Sequence, residues 1–162
     1  MKKYLALFAA ISLLGAGCSS PSIPTLTKVD GESSCDGILT LSAAKSMTGA
    51  GYIKREATAQ SLGKIIVTTC TFTGVSTKEV KPLSILTRQA TTEKEASTIF
   101  EQSKTASYTD GQTIADIGEQ ALWSPTFNQV SVLKGKTWLI VTANGQKELA
   151  TNVARNITPK LP

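Results

Sequence analysis

KIIVTTCTF, residues 64–72, is dense in β-branched side chains and alternates with a period of two. Ile66, Thr68, Cys70 and Phe72 therefore share one face of a strand, and Ile65, Val67, Thr69 and Thr71 the other. Working outward, PLSILTR (82–88) follows a polar turn and reads as the antiparallel partner of a hairpin. Its Pro82 stands at the start, where a missing N–H does least harm. Thr92-x-x-Glu95 is a capping box, and Ala96, Ile99, Phe100 and Ser103 recur at helical spacing as far as Lys104. Further on, IADIGEQALWS (114–124) and QVSVLKGKTWLIVTA (129–143) supply three more strands, the last two joined by the turn Lys134-Gly135-Lys136. A final helix spans about 146–156, with Leu149, Val153 and Ile157 in one stripe and Pro159 to stop it. Upstream, Thr40 or Ser42 caps a short helix over SAAKSM that Gly49 ends. The polar stretch from there to Gly63 reads as a loop or irregular strand around YIKRE. The order helix, strand, strand, helix, strand, strand, strand, helix predicts an α+β fold, an antiparallel sheet of about five strands packed with three helices.

The N-terminus addresses location. MKKYLALFAAISLLGAGC (1–18) has two lysines, an apolar run of about a dozen residues, too short for the ~20 that span a bilayer, and a small-residue exit ending in cysteine. It resembles a bacterial lipoprotein signal, with Gly15 at the usual leucine position and Leu14 one place earlier. That resemblance implies removal of 1–17 and attachment of palmitate-type acyl chains to Cys18. Ordinary secretion, with cleavage after Ala16 or Gly17 and Cys18 left as a thiol, is the alternative. Ser19 after the cysteine implies, by the sorting rules of such signals, the outer membrane facing the periplasm rather than the inner membrane. Residues 18–33, rich in Ser, Pro and Thr, read as a flexible tether with a reach of about 20 Å. Residues 34–162 read as a single α+β domain.

Composition then narrows the chemistry. The 162 residues carry a formal charge of +5, which falls to +3 once Lys2 and Lys3 leave with the signal. No window clusters Lys and Arg as nucleic-acid binding requires, so no such partner is expected. The chain has no histidine, which rules out Ser-His-Asp and Cys-His arrangements and leaves no side chain that ordinarily titrates near neutral pH. Ser42-x-x-Lys45 has the spacing of a Ser-Lys dyad, but a helix cap and a solvated lysine are the favoured account of it. The carboxylate pairs Glu93/Glu95 and Asp116/Glu119 lie at a helix start and beside a turn, where charge is already accommodated. No enzymatic activity, metal or cofactor is expected. With Cys18 acylated, Cys35 and Cys70 are left as an even pair in an oxidising compartment, and one disulfide is the simplest arithmetic. Two buried free thiols remain the alternative. A bridge would close a loop of about 36 residues, for which the chain-entropy model gives roughly 4 kcal/mol.

Three pieces together carry a family resemblance: Cys35 followed by LTLSAAKSMTG (39–49), Cys70 within TTCTFTG (68–74), and IADIGEQALWS (114–124) before a hairpin and a last helix. They resemble small secreted lipoproteins of unknown function from actinobacteria, over about residues 35–158. That likeness implies pairing of Cys35 with Cys70 and a layered α/β sandwich like that of the photosystem extrinsic protein PsbP. It implies no catalytic residues. The function expected is that of a lipid-anchored envelope protein with a non-enzymatic binding role toward an envelope protein or small apolar ligand. Tyr52, Tyr108, Trp123 and Phe127 are the large, stiff side chains suited to a binding surface, with core packing as the competing role of most of them, while Trp138, a further aromatic candidate on an alternating strand, is expected in the core. Two narrower expectations are inhibition of an envelope-attacking enzyme such as lysozyme, through loops at 49–56 and 107–112, and a structural part in a secretion or conjugation apparatus.

Overall fold

A computed structural model describes residues 26–76 and 80–162 of the chain. Its strands form one antiparallel sheet, ordered β1-β2-β3-β4-β8-β7-β6-β5. Seven of them have four residues or more: β1 (Leu26–Val29), β2 (Tyr52–Leu62), β3 (Ile65–Gly74), β4 (Leu83–Gln89), β6 (Gln120–Ser124), β7 (Gln129–Lys134) and β8 (Thr137–Thr142). The eighth, β5 (Gln112–Thr113), is a two-residue edge. The α+β class and the antiparallel pairing agree with the sequence; the expected count of about five strands is too low. The three strands missing from that count are β1, β5 and β2, and for β2 the side chains explain the omission. Of the eleven residues of β2, only Tyr52 and Ala59 are buried, so the hydrophobic alternation that identifies a half-buried strand is absent.

Among the described residues four α-helices accompany the sheet, one more than expected: α1 (Gly31–Ile38), α2 (Leu41–Thr48), α3 (Glu93–Ala106) and α4 (Lys147–Ile157). The extra helix is α1. Asp30 caps it, accepting from the N–H groups of Glu32 and Ser33. Residues 26–33, assigned to a tether from composition, thus contain β1 and the start of α1, and the fold begins at least eight residues before residue 34. The other helices keep the expected signals. Thr40 accepts from Ala43 N–H at the start of α2 and Gly49, at φ 66°, ends it; Thr92 accepts from Glu95 N–H at the start of α3.

Helices lie on both faces of the sheet. On one, Cys35 and Leu39 from α1 and its C-cap, Ala44 from α2, and Ala150, Val153 and Ile157 from α4 pack on Cys70, Phe72, Ile85, Val132 and Leu139. On the other, Ala96 and Phe100 of α3 pack on Leu122, Leu133, Trp138 and Ile140. The alternation read over 64–72 and 137–142 feeds both cores: Leu139 and Val141 face one way, Trp138 and Ile140 the other.

The cysteines meet as expected. Cys35 and Cys70 are disulfide-bonded with Cα atoms 5.8 Å apart. The bridge pins α1 to β3; the short helix over SAAKSM is held by packing of Ala44, Leu41 and Met47 instead. Arg55 on β2 adds a second clasp, its guanidinium bonded at 2.5 Å to both Glu32 and Asp36 of α1.

Candidate functional site

The structure divides the four aromatic candidates between the two faces. Tyr52, 2% exposed, lies against Phe72 with ring centres 6.0 Å apart, and Trp123 is buried in the same core. Both fill space there and neither offers a surface. On the opposite face Tyr108 and Phe127 come together, edge to face at 5.5 Å. Tyr108 also meets Trp138 at 6.4 Å, and its hydroxyl donates to Gln129 Oε1 at 3.0 Å. Phe127 stays 45% exposed at the rim.

Arg88 completes this cluster, and the aromatic residues alone gave no sign of it. It stands opposite Trp138 across β4 and β8, with its guanidinium carbon 4.6 Å from the centre of the Trp138 ring. That distance is within cation–π range. Arg88 Nε is buried with no hydrogen-bond acceptor, and among the described residues no carboxylate pairs with it. The Arg88 charge also acts on Tyr108: burial pushes that phenol above its usual value, and the cation partly offsets the rise. The signal that could have located Arg88 is register. Alternation along PLSILTR puts Arg88 on the same face as Leu86, and therefore on the Trp138 side of the sheet.

Beside Arg88 the face is open. Helix α3 packs on β7 and β8, while Lys54, Glu56, Thr58 and Gln60 of β2 are exposed. Thr69 lies opposite Leu86 and Val67 opposite Arg88, so the guanidinium sits where the covered half of the sheet gives way to the uncovered half.

Two of the carboxylate candidates have structural roles. Glu119 accepts from Gly135 N–H at 2.8 Å, and Glu95 accepts from the Thr91 hydroxyl at 2.9 Å. Ser42 and Lys45 are both exposed, with no bond between them. Of the two loops expected to suit an inhibitor, 49–56 is strand from Tyr52 onward. The other is tied down through Asp110, which accepts from Ser124 Oγ at 2.8 Å and from Thr126 N–H at 2.7 Å. Those bonds hold the Asp110 carboxyl below its ordinary value, the Thr126 backbone contributing most. Cys18, the residue expected to carry lipid, lies outside the described residues.

No protein-family model, no curated protein and no solved structure matches this chain.

Proposed function

We propose that this chain is a lipid-anchored bacterial envelope protein, sorted to the periplasmic side of the outer membrane, whose folded part binds another envelope protein without catalysing a reaction. The signal-like residues 1–17 and the cysteine at 18 supply the address, and the Cys35–Cys70 bridge suits an oxidising compartment. The likeness to two-cysteine actinobacterial lipoproteins, with its PsbP-type layering, belongs to this proposal; helices on both faces of one sheet support it.

The observation that carries the binding role is Arg88. Arg88 is half-buried with its Nε lacking an acceptor; such an unmet donor on a charged group costs free energy until an acceptor satisfies it, and the guanidinium lies over Trp138 beside the uncovered strands. A partner presenting Asp or Glu beside an apolar side chain fits it, the carboxylate taking the guanidinium and the apolar group meeting Phe127, the exposed ring of the cluster. Arg88→Glu should abolish capture of the partner in envelope pull-downs while Arg88→Lys retains part of it, with near-unchanged melting of both. Equal capture by wild type and Arg88→Glu refutes the assignment. Intact mass without added acyl chains refutes the anchor separately.

A further inference from the structure

A second concavity lies on the opposite face, away from Arg88. It has a volume of about 300 Å³ and is roofed by α1 and by the segment Lys160–Pro162, with β3, β4 and β8 as its floor. That volume is at the lower end of the range for small-ligand sites, about 300–1,000 Å³. It exceeds the space of a single water, about 30 Å³, severalfold.

Its floor carries two threonines that the fold does not use. Thr68 and Thr87, opposite one another across β3 and β4, are 4% and 5% exposed, and both line the cavity. Neither hydroxyl makes a hydrogen bond to another described residue. Neither oxygen is sealed away from solvent, so both hydroxyls open onto the cavity and are free to bond an occupant there. Valine has the same shape and favours strands, yet both positions hold threonine, which gives the cavity floor two hydroxyls.

The roof shows a matching feature. Gly37 sits within α1, where glycine is about 1 kcal/mol worse than alanine. A Cβ built there would meet nothing within 4 Å. No packing contact demands this glycine; it leaves the space over the cavity clear.

The lining indicates the class of ligand. Thr68, Thr87 and the Gln89 amide each offer both donors and acceptors, as alcohols do. Among the lining residues the single charged side chain is Lys160, which is exposed at the rim. A buried carboxylate or amine on the ligand would find no counter-charge inside. Ile38, Ile66 and Leu161 supply aliphatic walls against which C–H faces pack.

We infer that the cavity between α1, the Lys160–Pro162 segment and the β3–β4–β8 floor binds a neutral polyol of monosaccharide size, with Thr68 and Thr87 bonding its hydroxyls. This assignment is independent of the Arg88 surface, which lies on the other side of the sheet.

Saturation-transfer NMR on the protein as its host produces it, with glucose and N-acetylglucosamine as probes, tests it. Wild-type protein should transfer magnetisation to at least one of the two sugars. Thr68→Val/Thr87→Val should weaken that binding by about tenfold or more. The same variant should melt no lower than wild type, since no protein hydrogen bond is lost. Gly37→Leu, which puts a side chain over the cavity, should weaken binding without touching either hydroxyl. Absence of transfer to both sugars, or equal transfer to wild type and the double valine variant, overturns the inference. A fall in melting temperature of the valine variant also overturns it, because the hydroxyls would then have a structural role.

Discussion

Ser131 shows how much one hydroxyl can decide. It is fully buried and accepts from the Trp138 indole N–H at 2.6 Å, so the largest side chain under α3 can be buried without an orphaned donor. Ser131→Ala leaves that N–H unsatisfied in an apolar core and should cost about 1–3 kcal/mol, read from the urea midpoint. Unchanged stability would mean that water reaches the indole. Asp110 acts at the other margin of the same cluster, fastening the turn that presents Phe127. Its carboxyl is held below the ordinary value by Thr126 N–H and Ser124, so its contribution is complete above the unfolded pKa, about 3.9. That contribution is lost as pH falls through the lower folded value. Acidification below about pH 4 should release the Thr126 amide, visible as a chemical-shift titration, and Asp110→Asn should remove that titration. Of these residues the sequence showed identity and spacing: Trp138 reads as core from its alternating strand, and Phe127 and Tyr108 stand out as aromatic. Their meeting depends on strand register, which connects positions 88, 131 and 138 only after the whole sheet is ordered.

Among the elements, α1 and β2 explain what local patterns conceal. GESSCDGI has no apolar stripe, and of its residues only Cys35 is buried; the helix is stabilised by its Asp30 cap, the bridge and the Arg55 clasp, none of which shows as periodicity. Strand β2 carries Arg55 on the face where a hydrophobic residue is ordinarily expected, because Glu32 and Asp36 of α1 supply the counter-charge. By contrast α2, α3 and α4 were legible from caps and spacing, and the 134–137 turn from Gly135, which takes φ 52°. Loss of the bridge should act on α1 before the sheet. Cys35→Ser/Cys70→Ser should lower stability by about 2–4 kcal/mol, and hydrogen exchange should rise first in α1. Exchange spread evenly over the sheet would show that the bridge does not localise stability in this way.

For the whole molecule, one sheet serves two unlike surfaces. The face under α1, α2 and α4 is packed over a core and carries the cavity over Thr68 and Thr87; the face under α3 is covered over β7 and β8 and open beyond Arg88. Sequence periodicity could identify strands with two apolar sides but could not say which lateral neighbours they would have, since β4 pairs with β8 across more than forty intervening residues. The entry of the chain has a mechanical corollary. Strand β1 is bonded along one side alone among the described strands, to β2, so tension applied at Leu26 peels it away at little cost. Past α1's first turn the pull meets Cys35, and the covalent link delivers it to β3, between β2 and β4 in the interior of the sheet. Extension therefore halts within about ten residues of Leu26, at a spacing near 3.4 Å each, and both surfaces remain intact under a load that strips the leading edge.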